Sequence, residues 1–74
     1  MTLDEIKLGS DVKILSVNNT AKNKSRLMEM GFVREAIVTP VFSALLSEPR
    51  AYLINGAIIA LRREDARMIN VTII

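Results

Sequence analysis

Ala51-Tyr52-Leu53-Ile54-Asn55-Gly56-Ala57-Ile58-Ile59-Ala60-Leu61 decides the fold of this 74-residue chain. Two apolar runs flank an Asn-Gly pair, which supplies the two positive φ angles of a type I′ turn whose twist matches paired strands. A two-residue turn sets Ile54 against Ala57, Leu53 against Ile58 and Tyr52 against Ile59. One face of that hairpin carries Tyr52, Ile54, Ala57, Ile59 and Leu61; the other carries Ala51, Leu53, Ile58 and Ala60, and neither bears a charge. A half-exposed hairpin alternates apolar with polar residues, so both faces call for cover. Either the N-terminal segment or a helix folds over the second face, or it stays open as an interaction surface.

Working outward, residues 36–42 are rich in β-branched side chains, but Pro40 donates no ladder hydrogen bond and marks an edge or a bulge. Residues 43–49 read as a loop with Leu45 and Leu46 at its tip. Residues 62–66 suit a single helical turn, and residues 68–74 a closing strand with Ile69, Val71 and Ile73 alternating. On the N-terminal side, Thr2-Leu3-Asp4-Glu5 has the capping-box form. A strand follows over residues 11–17, with Val12 and Ile14 on one face. Asn18, Asn19 and Thr20 offer N-caps for a helix reaching about Met30. Gly31 is placed to close it in the left-handed conformation, with Phe32 touching Leu27 as in a Schellman cap. Lys22, Lys24 and Arg26 lie early in that helix and Glu29 late, against the macrodipole, so packing must hold it. The pattern predicts a mainly β single domain over residues 1–74: a small, strongly bent barrel of about five strands with one helix inserted after the first.

Composition narrows the chemistry. The chain has no Cys and no His, which removes disulfides, thiol nucleophiles and imidazole acid–base catalysis. The core must come from Ile, Leu and Val, with Phe32, Phe42 and Tyr52 as the only aromatics and Trp absent. Asp4/Glu5 and Glu64/Asp65 are sequence neighbours at element starts, where acids favour the helix dipole rather than face one another across a cleft. An enzyme is not expected. Met28, Met30 and Met68 read as gap-filling core rather than soft metal ligands. The net charge of +2 and the Lys22, Lys24, Arg26 and Arg34 group read as a solvated face. An RNA-binding barrel adds exposed stacking aromatics, and these three are separated and core-like. With no apolar run near the length of a span, the cytosol is the expected compartment.

The ordered set Leu8-Gly9, Arg26-Leu27-x-x-Met30-Gly31-Phe32, Leu46-Ser47-Glu48-Pro49 and Asn55-Gly56-Ala57-Ile58-Ile59-Ala60-Leu61-Arg62 resembles the FeoA proteins of bacterial and archaeal ferrous iron uptake. A similar domain ends some metal-dependent repressors of the diphtheria-toxin-repressor type. The resemblance implies an SH3-like barrel, and a cytosolic, non-catalytic accessory that binds FeoB, the membrane permease with a GTPase domain, at the inner face of the membrane. It implies Arg26, Leu27 and Met30, with Gly31 closing the helix, as the partner-facing element, and Leu45 and Leu46 as a second contact. The alternative is a transition-metal sensor or carrier, a label that the family often bears, although the missing His and Cys argue against a bound iron or zinc cofactor. The family commonly follows its helix with Gly-x-x-Pro-Gly, where this chain reads Gly31-Phe32-Val33-Arg34-Glu35. Relatives tend to carry charge on the outer hairpin face; here Leu53 and Ile58 occupy it and point to self-association as a homodimer.

Overall fold

A computed structural model describes residues 1–44 and 48–74. The chain opens with a 3-10 turn, Leu3–Glu5, and continues through β1 (Val12–Val17), α1 (Lys24–Glu29), β2 (Ile37–Ser43), β3 (Arg50–Ile54), β4 (Ala57–Leu61), α2 (Arg63–Ala66) and β5 (Ile69–Ile73). The strands form one antiparallel sheet in the order β4-β3-β2-β1-β5. Leu61 of β4 and Ile69 and Val71 of β5 come from opposite ends of that order yet share one apolar cluster with Val12, Ile14, Val38, Tyr52 and Ile54. The sheet therefore bends around its own interior, and Leu3, Ile6, Leu27, Phe32 and Ala66 plug the remaining space. Among the described residues no polar or charged residue is buried, as expected for a small domain that relies on apolar burial.

The hairpin forms as its sequence demands. Asn55 has φ +51° and Gly56 φ +78°, and the pairs Ile54–Ala57, Leu53–Ile58 and Tyr52–Ile59 continue through Ala51–Ala60 to Arg50–Leu61. Pro40 lies in β2, an inner strand, and takes the bulge rather than the edge: the β2–β3 register shifts between Pro40 and Phe42. The shift sets Phe42 opposite Ala51, and the residue is 58% exposed, so Phe42 is not the core aromatic that composition suggested. Phe32 and Tyr52 are core.

The helix is shorter than the sequence predicts. Asn18 caps no helix; its side-chain oxygen accepts from the Thr20 N–H at 2.9 Å, and its own N–H reaches the Met68 carbonyl at 2.7 Å. Turns through Ala21 and Asn23 follow, and Asn23 stands at the N-cap position without a side-chain capping bond. The C-terminus matches expectation: the Phe32 N–H bonds the Leu27 carbonyl at 3.0 Å and the Gly31 N–H bonds the Met28 carbonyl at 3.0 Å, the two bonds of a Schellman cap, with Gly31 at φ +107°. In the following turn, which has neither proline nor glycine, Glu35 itself adopts φ +76°. Its N–H bonds the Ile14 carbonyl at 2.8 Å, and its carboxylate lies 3.5 Å from the Lys13 ammonium.

Candidate partner-binding surface

The surface around α1 is positioned by two tertiary ties. At its start, the Asn23 amide donates to the Asp65 carboxylate of α2 at 3.0 Å. At its end, Gly31 lies against the hairpin turn: a β-carbon there would stand 2.6 Å from the Asn55 side-chain nitrogen. The left-handed φ of +107° favours glycine, and any side chain there would also have to displace the Asn55 amide. Leu27, 1% exposed, buries its side chain in the core and seats the helix. It is therefore not partner-facing, which corrects the assignment drawn from the resemblance. Arg26 is exposed, and Met30 is half-buried against the core edge.

Two clefts flank α1. On one side a space of about 370 Å³ is lined by Arg26 and Asn23, by Ala60 and Arg62 at the end of β4, and by Glu64 and Asp65 of α2. On the other, a groove of about 290 Å³ runs between α1 and β1, with Leu15, Met28 and Val33 along it and Lys24 and Arg34 as its cations. Of the residues expected to face a partner, Arg26 lines the first of these clefts, and Gly31 lies against the hairpin turn. Leu45 and Leu46, the second expected contact, lie outside the described residues. Leu53 and Ile58 stand opposite each other on the outer face of the hairpin, 39% and 54% exposed. Neither the N-terminal segment nor the helix covers them.

Arg50 escaped the sequence reading. Its guanidinium donates to the Asp4 carbonyl at 2.9 Å and the Ile6 carbonyl at 2.6 Å, and it lies 5.4 Å from the centre of the Tyr52 ring. Burial, partly offset by the Arg50 charge, pushes the Tyr52 phenol above its usual range. Arg50 thus clamps the N-terminal segment onto β3. Alternation held the signal, since residues 50, 52 and 54 share the inward face and an arginine there needs acceptors.

A five-stranded antiparallel sheet bent round an apolar core, with one short helix after its first strand, is the SH3-like class of small β domain. The FeoA domain matches residues 1–73, and the chain belongs to the FeoA family. It is 38% identical over 74 residues to the Fe(2+) transport protein A/Fe(2+) transporter FeoB fusion protein of Porphyromonas gingivalis, covering 100% of this chain and 9% of that one. The FeoA protein of Chlorobium tepidum, solved in solution, is 34% identical, with a TM-score of 0.89 over 99% of this chain and 70% of that one. The FeoA of Stenotrophomonas maltophilia, described as a procaryotic SH3 domain protein and crystallised with zinc, is 30% identical, with a TM-score of 0.85 over 97% of this chain and 89% of that one.

Proposed function

We propose that this chain is a non-catalytic accessory of ferrous iron uptake that acts by docking on a FeoB-type GTPase-permease from the cytosolic side. The observation that carries this reading is the fusion relative, in which a segment like this whole chain is joined covalently to an Fe(2+) transporter. Covalent linkage holds two modules at high effective concentration and suits partners that work in contact. The docking element is the exposed end of α1, with Arg26, Met30 and the Gly31 backbone beside the hairpin turn; Leu45 and Leu46 form the second contact. Docking changes the partner by selecting one of its conformations, and only to the extent that the chain binds that conformation more tightly. The test is ferrous iron uptake in cells whose own copy of this chain has been removed. The parent chain restores uptake and Arg26→Glu does not, although Arg26→Glu keeps the parent's thermal unfolding. Full restoration by Arg26→Glu would remove α1 from the docking surface.

The zinc complex of the Stenotrophomonas relative raises a second reading, metal ligation. Zinc takes cysteine, histidine and carboxylate ligands. This chain has neither of the first two, and among the described residues no three candidate ligands stand together. Anaerobic calorimetry with ferrous and zinc ions separates the readings. Contact without ligation predicts no sub-micromolar one-to-one binding, and such binding would favour a sensor or carrier.

A further inference from the structure

A cavity of about 270 Å³ lies between the N-terminal segment and the sheet, on residues that α1 does not share. It falls just below the range of drug-sized sites, so it suits a small molecule. Its lining is of two kinds. Ile6, Leu61 and Tyr52 are buried and, with Leu8, make an apolar part. Lys7, Arg50 and Arg63 supply three cations against the single carboxylate of Asp4, which already accepts from the Thr2 hydroxyl at 2.5 Å. The ion pairs among the described residues are Lys13–Glu35, Arg34–Glu35 and Arg62–Glu64, and none of them uses the cavity's cations. Arg50 is the sharpest case. Its guanidinium is partly buried and donates to the Asp4 and Ile6 carbonyls, while its Nε is enclosed with no hydrogen-bond partner among the described residues. The two carbonyl bonds satisfy part of the fork and leave its charge without a counter-ion, an arrangement that is costly away from water.

We propose that this cavity binds a small organic anion, with its oxyanion group among Lys7, Arg50 and Arg63 and its carbon body against Ile6, Leu8 and Leu61. Guanidinium groups match the paired oxygens of a carboxylate or a phosphate, and Lys7 adds a point charge. The Ser43 hydroxyl, part of the same lining, is a donor for a further oxygen. The lining comes from the N-terminal segment, β2, β3, β4 and α2. An occupant therefore ties that segment to the sheet, as the Arg50 clamp does, and stabilises the fold by mass action.

Tyr52 makes the site readable, because it is the one tyrosine of a chain without tryptophan and its phenol already responds to the Arg50 and Asp4 charges. Tyrosine emission and amide chemical shifts, followed at low salt, test the proposal with four probes. Butyl phosphate and butyrate carry both halves of the ligand; inorganic phosphate and butanol carry one each. The expected result is a saturable response to butyl phosphate or to butyrate, in the millimolar range or tighter, and the tighter of the two names the oxyanion. The Ser43, Arg50, Tyr52 and Arg63 amides should move while those of Leu15 and Met28 hold still. Added salt should weaken the binding, since screening reaches an open site. Lys7→Gln combined with Arg63→Gln changes two exposed side chains; it should keep the parent's thermal unfolding and bind at least about tenfold more weakly. The proposal is overturned by the lack of a saturable response to both butyl probes, or by inorganic phosphate binding as tightly as butyl phosphate. A folded double variant that binds as the parent does would overturn it too.

Discussion

The two ends of the sheet are treated differently. The outer edge of β5 is taken by the chain itself: Thr2 bridges Asn70, and the Val71 N–H bonds the Met1 carbonyl at 2.9 Å. That segment is anchored by Leu3 and Ile6 in the core and by the Arg50 guanidinium on the Asp4 and Ile6 carbonyls. At the other end, β4 carries an uncharged apolar sequence, and no described residue hydrogen-bonds its outer edge. The difference teaches that closure here is built from specific anchors, each of which can be removed.

The largest effect is expected from Leu3→Ala, which opens a cavity beneath the closed edge. It should lower stability by about 2–5 kcal/mol in urea unfolding; a loss under about 1 kcal/mol would mean that the N-terminal segment is a loose cover. Next comes Arg50→Met, which keeps the stem and removes the donors from two carbonyls. A loss of about 1–3 kcal/mol is expected, with faster exchange of the Val71 amide. If Val71 exchanges as in the parent, the clamp does not hold that edge. The smallest effect concerns Glu5, whose carboxylate accepts from the Thr2 N–H at 2.8 Å and the Thr2 hydroxyl at 3.0 Å. Those bonds, the backbone one foremost, hold its pKa below the ordinary 4.5. A lowered folded-state pKa stabilises above the unfolded value, and that stability is lost as pH falls through the folded one. Acid should therefore loosen the β5 edge before β4 responds, and Glu5→Gln should flatten that pH dependence. An unchanged profile for Glu5→Gln would assign the acid response to another group.

How much of this was legible in the sequence follows from the range of the forces. The hairpin and its register were readable because Asn55-Gly56 fixes backbone angles locally, and the Schellman cap because Leu27, Gly31 and Phe32 fall within two turns. The start of α1 was not readable: Asn18 is recruited by Met68 and Asn23 by Asp65, partners about forty or more residues away. Phe42 was misplaced because a bulge shifts every following side chain in register, and sequence alone left bulge and edge open at Pro40. At the candidate site, the resemblance named Arg26, Leu27 and Met30 together; Arg26 is exposed and Met30 half-buried, while Leu27 is buried in the core. Arg50 was overlooked because its acceptors, the Asp4 and Ile6 carbonyls, lie far off in sequence.

The proposed docking on a FeoB-type GTPase-permease is tested most directly by titrating the isotope-labelled chain with the cytosolic GTPase domain of the cognate FeoB, with each guanine nucleotide in turn. The account predicts that the backbone resonances of Arg26, Met30, Gly31 and Asn55 move in at least one nucleotide state, while those around Thr2 and Asn70 hold still. A spectrum that does not change with either nucleotide would contradict it.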